Sequence, residues 1–247
     1  MRLIILLLMI ISISFSENFS ERFDIANSYY NNSKYNKSIQ LYEEIIEEGL
    51  HSEHLYYNLG NAYYRNGMLG QSIWAYNKAV SLNPRSENAN YNLEIVSSKI
   101  KDRVILPSEF LPVHIYISFK SVFSYYEWLI FGATLFLLTA SFFVALKLFI
   151  FNNNILKKIN FISVLITLIV HLIILDVFLE KNEKVFGIVV FDNVNAYSGP
   201  FYGDNTILFT VNEGTKVQLF QEQGEWLEII ILNGGKAWIS KEKIRIL

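Results

Sequence analysis

Four histidines, at 51, 54, 114 and 171, are the side chains of this 247-residue chain best suited to proton transfer or metal ligation, and their spacing supports neither. His51 and His54 lie three apart and could meet on one helix face, but a zinc-type site needs four-fold ligation and no further ligand pattern follows them. Cysteine is absent, which removes thiolate ligands, disulfides and a thiol nucleophile. The chain has neither a phosphate-cradling glycine loop ending in Lys-Ser/Thr nor a G-x-S-x-G nucleophile turn. The acidic run Glu43, Glu44, Glu47 and Glu48 has helical spacing and reads as a solvated face. His171 and Asp176 sit in an apolar stretch, where ionisable groups can mark ion paths. With only two such groups, and Asp176 close to the end of the stretch, they read as anchoring or contact residues. No catalytic, cofactor-binding or metal-ligating set emerges, so no cofactor and no enzymatic activity are expected.

The elements that carry these residues are organised around two long apolar segments, 128–151 and 159–179. Each reaches the ~20 residues a helix needs to cross a bilayer. Between Trp128 and Leu175 the only charges are Lys147, Lys157 and Lys158, all near the connecting stretch 152–158. The positive-inside rule makes that stretch a cytoplasmic hinge and puts both flanking regions on the other side. Composition agrees with a membrane part accompanied by modest exported domains: 52% of residues are hydrophobic, mean hydropathy is +0.27 and formal net charge is -2. That charge gives no reason to expect nucleic acid.

Residues 1–16 have the form of a secretory signal peptide, with Arg2, an apolar run from Leu3 to Ile13, and Ser14-Phe15-Ser16 before Glu17. An uncleaved anchor is the alternative, and either version exports residue 17 onward. The segment 103–127 contains Pro107 and Pro112, which interrupt the helical pattern, followed by an aromatic-rich stretch expected to lie in the membrane interface.

Residues 17–102 are helical in pattern and repeat with a period of 34. In the second copy Tyr56, Leu59, Gly60, Tyr63, Gly67, Tyr76, Ala79 and Pro84 have the spacing of a tetratricopeptide repeat. In the first copy the matching places hold Arg22, Ile25, Ala26, Tyr29, Ser33, Tyr42, Ile45 and Leu50. A third helix, from about Ser86, reads as a capping helix, because two repeats alone bury little surface. The segment resembles the tetratricopeptide repeat family, and the resemblance implies an all-α solenoid that binds peptides on the face formed by the first helices. The positions that line that face carry Phe23, Asn27 and Tyr30, then Tyr57, Asn61 and Tyr64, with Ser20 and His54 beside them. They hold no Lys or Arg, so recognition of peptide backbone by amides and aromatic rings is expected rather than capture of a terminal carboxylate.

Residues 180–247 change to short alternating runs separated by turn residues. Strands are predicted at 185–191, 206–211, 216–221, 226–231 and 236–239. The order S-G-P, E-G-T-K-V, G-E-W and G-K-A-W-I resembles bacterial SH3-like domains, and implies an all-β small barrel of a kind that often binds peptides or cell-wall material. Trp226 and Trp238 are the candidate aromatic positions, as core or as ligand contacts.

The order of parts, from signal peptide through repeats and a two-helix transmembrane hairpin to the SH3-like domain, resembles the BatE family of bacterial aerotolerance-operon proteins. That resemblance implies a multi-pass inner-membrane protein with periplasmic N- and C-terminal domains. It would act as a non-enzymatic scaffold with Bat-type membrane proteins carrying von Willebrand A domains and a MoxR-type ATPase, in stress or oxygen tolerance. The alternative is a sensor whose SH3-like domain binds cell-wall peptides.

Overall fold

The computed structural model describes residues 19–102, 110–148, 153–203, 206–232 and 234–247, so the expected signal peptide and Pro107 lie outside the described residues. The chain divides into two compact units. One gathers the helices before residue 105 with Phe186–Leu247, and the other holds Leu106–Val185.

The first unit begins with helices α1 (19–31), α2 (Tyr35–Glu47), α3 (Glu53–Arg65), α4 (Leu69–Leu82) and α5 (Glu87–Ser97). The 34-residue period is visible in their local chemistry. Ser52 and Ser86 cap α3 and α5, accepting from the backbone N–H of Leu55 at 3.2 Å and of Ala89 at 3.4 Å. Ser38 and Ser72 donate to the carbonyls of Ala26 and Gly60, both at 2.9 Å. The α1–α2 and α3–α4 turns each need a left-handed residue at the same place, supplied by Ser33 (φ 58°) and Gly67 (φ 80°). Large aromatics fill the spaces between helices: Tyr42, Tyr63 and Tyr76 are each 1% exposed.

The same unit holds strands β1 (Val185–Val189), β2 (Val194–Tyr197), β3 (Ile207–Val211), β4 (Lys216–Gln223), β5 (Trp226–Ile230), β6 (Lys236–Ser240) and β7 (Ile244–Ile246). They form an open antiparallel sheet of order β3-β2-β6-β5-β4-β1-β7. Seven strands therefore replace the five expected from the sequence. Strands β2 and β7 were hidden because one is four residues long with an asparagine inside it, and the other is three residues long with Arg245 at its centre. The sheet core is built from Val189, Val194, Ala196, Val217, Leu227, Ile229 and Ile239 among others. Trp226 and Trp238 alternate with those residues along β5 and β6 and lie, half-buried, on the opposite face.

Helices and sheet share one core. Ile188 and Leu247 pack into the helical cluster. Trp74 Nε1 donates to the carbonyl of Ile246 at 2.9 Å, and the Glu213 carboxylate accepts from the Gly70 N–H at 3.0 Å. Asp102 accepts from the Asn212 N–H at 2.7 Å, the Asn212 amide at 2.9 Å and the Thr215 hydroxyl at 3.1 Å. A Cβ at Gly70 would come within 2.7 Å of the Val189 carbonyl, so helix and strand backbones touch where no side chain fits. Glu43 is bound by Arg245 and Tyr63, and Arg22 reaches Glu44 at 3.5 Å and Glu48 at 2.6 Å. Three members of the acidic run are therefore ion-paired, not simply solvated, because their cations lie in distant sequence.

The second unit comprises α6 (Leu111–Lys120), α7 (Tyr125–Leu148) and α8 (Asn154–Glu183). Pro112 falls in the first turn of α6, where its missing N–H costs no bond, so it opens a helix instead of breaking one. The Asn153 side chain caps α8 by accepting from the Ile155 N–H at 2.8 Å, and the expected hinge residues 154–158 are helical. Both α7 and α8 are long and apolar enough to cross a membrane, and the most apolar window of each is only 11% buried. A core helix of a soluble domain would be mostly covered. They approach closely at Gly132, where a Cβ would meet Ile174 Cδ1 at 2.4 Å, and share a buried hydrogen bond of 2.9 Å between the Thr139 and Thr167 hydroxyls. Trp128, 1% exposed, donates to the Lys120 carbonyl at 3.0 Å, and Lys120 pairs with Asp176 at 2.9 Å and Glu180 at 2.6 Å. His171 Nδ1 donates to the Thr167 carbonyl at 2.8 Å within its own helix. Asp176 and His171 thus serve separate local contacts.

Candidate functional site

Residues 23, 27 and 30 of α1, and 57, 61 and 64 of α3, are spaced by four and three, so each trio lies along one helix face. All six are half-buried. What the structure adds is a pair of corresponding hydrogen-bonded sets, the second of which has two longer bonds besides, from the Asn92 amide to Tyr57 Oη and Tyr76 Oη, both at 3.4 Å. The Asn27 carbonyl oxygen accepts from Tyr42 Oη at 2.6 Å and from the Asn58 amide at 2.9 Å. The Asn61 carbonyl oxygen accepts from Tyr76 Oη at 2.6 Å and from the Asn92 amide at 3.0 Å. Every member recurs at the 34-residue period. Phe23 then packs on the Tyr42 ring at 5.8 Å and Tyr57 on the Tyr76 ring at 6.1 Å, again in register.

The electrostatics fix how these amides point. Burial pushes the Tyr42 hydroxyl up to about 12 and raises that of Tyr76 as well. Both therefore remain proton donors at neutral pH, and each holds the asparagine oxygen it faces. The side-chain NH2 groups of Asn27 and Asn61 are left without a hydrogen bond among the described residues, as are the carbonyl oxygens of Asn58 and Asn92. Each set so presents one free donor and one free acceptor, the complement of a peptide group.

Tyr30 and Tyr64 lie apart from these sets. Tyr30 meets Tyr35 edge-on at 5.5 Å, and Arg65 Nε donates to Tyr35 Oη at 3.3 Å. The Lys99 ammonium sits 4.7 Å from the centre of the Tyr64 ring. Sequence reasoning excluded Lys and Arg from the lining positions; the fold brings Arg65 and Lys99 beside the groove tyrosines from the next positions along. Asn58, Asn92 and the two second-helix tyrosines were missed as site residues, although their 34-residue spacing could have revealed them. His51 bonds Tyr56 Oη at 2.8 Å and His54 pairs with Glu53 at 2.9 Å, so the two histidines do not converge.

On the sheet, Trp226 packs against Tyr202 at 4.6 Å and Tyr197 at 5.5 Å, while Trp238 stands opposite Tyr197 across β2 and β6. These rings cover the sheet face away from the core.

The tetratricopeptide repeat family pattern matches residues 54–86, the second repeat. Such repeats are protein-interaction repeats, usually without enzymatic activity, and the helices around the matched residues are repeat-like. No curated protein matches the chain. Among solved structures, an NlpC/P60 family protein from Bacillus cereus ATCC 10987 aligns at 22% identity and a TM-score of 0.23, over 29% of this chain. The aligned part spans only 23% of that protein, and the likeness carries no argument here.

Proposed function

We propose that this protein is a membrane-anchored, non-enzymatic scaffold whose repeat groove holds an extended segment of a partner protein. The observation that carries the reading is the duplicated Asn–Tyr–Asn set, which leaves a matched donor and acceptor in each repeat, flanked by Phe23 and Tyr57. A backbone-reading groove of this kind recognises a chain conformation, with side-chain preference left to Tyr30, Tyr64 and the cations Arg65 and Lys99.

Membrane insertion through α7 and α8 is supported by their length and exposure, and the three lysines near their junction favour a cytoplasmic hinge. The segments before and after the pair fold into one unit, which supports placing them together on the outer face of an inner membrane. The SH3-like reading of the sheet rests on its sequence order. The BatE-like reading, with Bat-type partners and a role in stress tolerance, rests on the succession of parts.

Crosslinking in membranes followed by co-purification and mass spectrometry tests the proposal. Wild-type protein is expected to retain a defined protein partner that the Asn27→Ala/Asn61→Ala double variant loses; because the double variant also unpairs the Tyr42 and Tyr76 hydroxyls and lowers the melting midpoint, the two are compared below the variant's unfolding transition. A partner set unchanged by the double variant would exclude the groove.

A further inference from the structure

Strands β2 and β6 pair at one position only, Tyr197 opposite Trp238. Beyond it each strand continues with a different neighbour. Strand β6 pairs with β5 as far as Ser240 opposite Trp226, and β2 pairs with β3 as far as Val194 opposite Val211. The sheet therefore splits past Tyr197, and the split opens a pocket of about 310 Å³ whose lining includes Asn195, Tyr197, Tyr202 and Ser240.

The lining is polar yet unspent. The Asn195 amide and the hydroxyls of Tyr197, Tyr202 and Ser240 make no hydrogen bond among the described residues, and Ser240 does not cap the turn that follows it. The lining also carries one charge of each sign: Asp192, which pairs with Lys101 at 2.5 Å, and Lys243, which pairs with Glu242 at 2.9 Å while lying over Phe191 at 4.4 Å. Beside the pocket stands an aromatic wall, in which Tyr202, 72% exposed, rests on Trp226 at 4.6 Å.

Each feature narrows the ligand. An anion would have to draw Lys243 away from Glu242 and would meet the Asp192 carboxylate on the same lining. An ammonium ligand would need a gap between rings, but Tyr197, Tyr202 and Trp226 already pack on one another at 4.6 to 5.6 Å. Groups that both donate and accept, next to an exposed ring face, match a neutral molecule with hydroxyls around its edge and C–H groups on its face. The volume lies at the small end of the roughly 300–1,000 Å³ typical of ligand sites, which suits a single ring unit.

We propose that this pocket binds one neutral pyranose unit of a glycan, a hexose or N-acetylhexosamine, with its face on Tyr202 and its hydroxyls on Asn195, Ser240 and Tyr197. The site is separate from the repeat groove, and it takes a single sugar ring where the SH3-like resemblance implies peptides or cell-wall material without naming a site.

The test is tryptophan fluorescence titration of the full chain in a zwitterionic detergent, since maltoside and glucoside detergents carry the proposed ligand. The probes are N-acetylglucosamine tetramer, cellotetraose and a proline-rich decapeptide. A saturable response to one of the oligosaccharides is expected, weakened about tenfold or more in Tyr202→Ala and in Asn195→Ala. Both variants are expected to keep the wild-type melting midpoint, because neither side chain holds the core. No response to either sugar, a sugar response unchanged in both variants, or saturation by the peptide alone would each overturn the proposal.

Discussion

Arg245 joins sheet to helices through three kinds of contact at once. Its guanidinium donates to Tyr63 Oη at 2.8 Å, pairs with Glu43, and lies over the Trp74 ring at 4.6 Å. Arg245→Ala is expected to destabilise the protein by about 1–3 kcal/mol, a range lowered by the partial exposure of the ion pair. Arg245→Lys should recover less than half, because an ammonium cannot fork between Glu43 and Tyr63 while stacking on an indole. Thermal denaturation of the three proteins checks the order. Tyr42 gives a pH-dependent test. Its hydroxyl is held protonated by burial up to about 12, whereas an unfolded tyrosine ionises near 10. Below pH 10 both states carry the proton and the contribution is intact. Between 10 and 12 only the unfolded chain releases it, so stability falls by an amount on the order of 2–3 kcal/mol. Tyr42→Phe is expected to flatten that alkaline loss in urea-unfolding measurements at stepped pH, at the cost of one of the two hydrogen bonds that the Asn27 oxygen accepts at neutral pH.

At the scale of elements, the repeat depends on how closely paired helices approach. A Cβ on Gly60 would sit 2.7 Å from two carbons of the Tyr76 ring, and that ring cannot retreat because its hydroxyl is bound to Asn61. Gly60→Ala is expected to cost about 1–3 kcal/mol by overpacking, less the ~1 kcal/mol that alanine returns as helix propensity. Hydrogen exchange should show protection falling first in α3 and α4. The repeated helices were legible in the sequence because a period of 34 fixes side-chain type, cap and turn together. The sheet was less so. Strand β7 carries a charged residue whose partner, Glu43, is 202 positions away, and β2 holds Asn195, which faces a pocket instead of the core. Runs of alternating hydrophobicity cannot report either arrangement. The start of α8 was hidden for a different reason: consecutive asparagines resemble a loop, yet one of them is a helix cap. In the candidate groove, register put the six expected positions on two helix faces, while the tyrosines and asparagines that orient Asn27 and Asn61 became visible only once the second helices were placed.

For the whole molecule, the decisive relation is that residues from both sides of the apolar helix pair build one folded unit. Ile188 and Leu247 belong to the helical core, and Asp102, Glu213 and Trp74 each bond across the two sequence regions. A membrane cannot pass between parts that share a core, so any crossings between them must be even in number, and α7 and α8 are two helices long and apolar enough to cross. The absence of cysteine makes this directly testable, since any introduced thiol is the only one in the chain. Glu47→Cys on α2, Gln221→Cys on β4 and Asn154→Cys at the start of α8 all replace exposed residues. In spheroplasts, a membrane-impermeant maleimide is expected to label the first two equally and to reach the third only after the membrane is opened. Labelling of position 47 without 221 would break the shared unit. Labelling of all three in sealed spheroplasts would leave the unit intact but show that the helix pair does not cross.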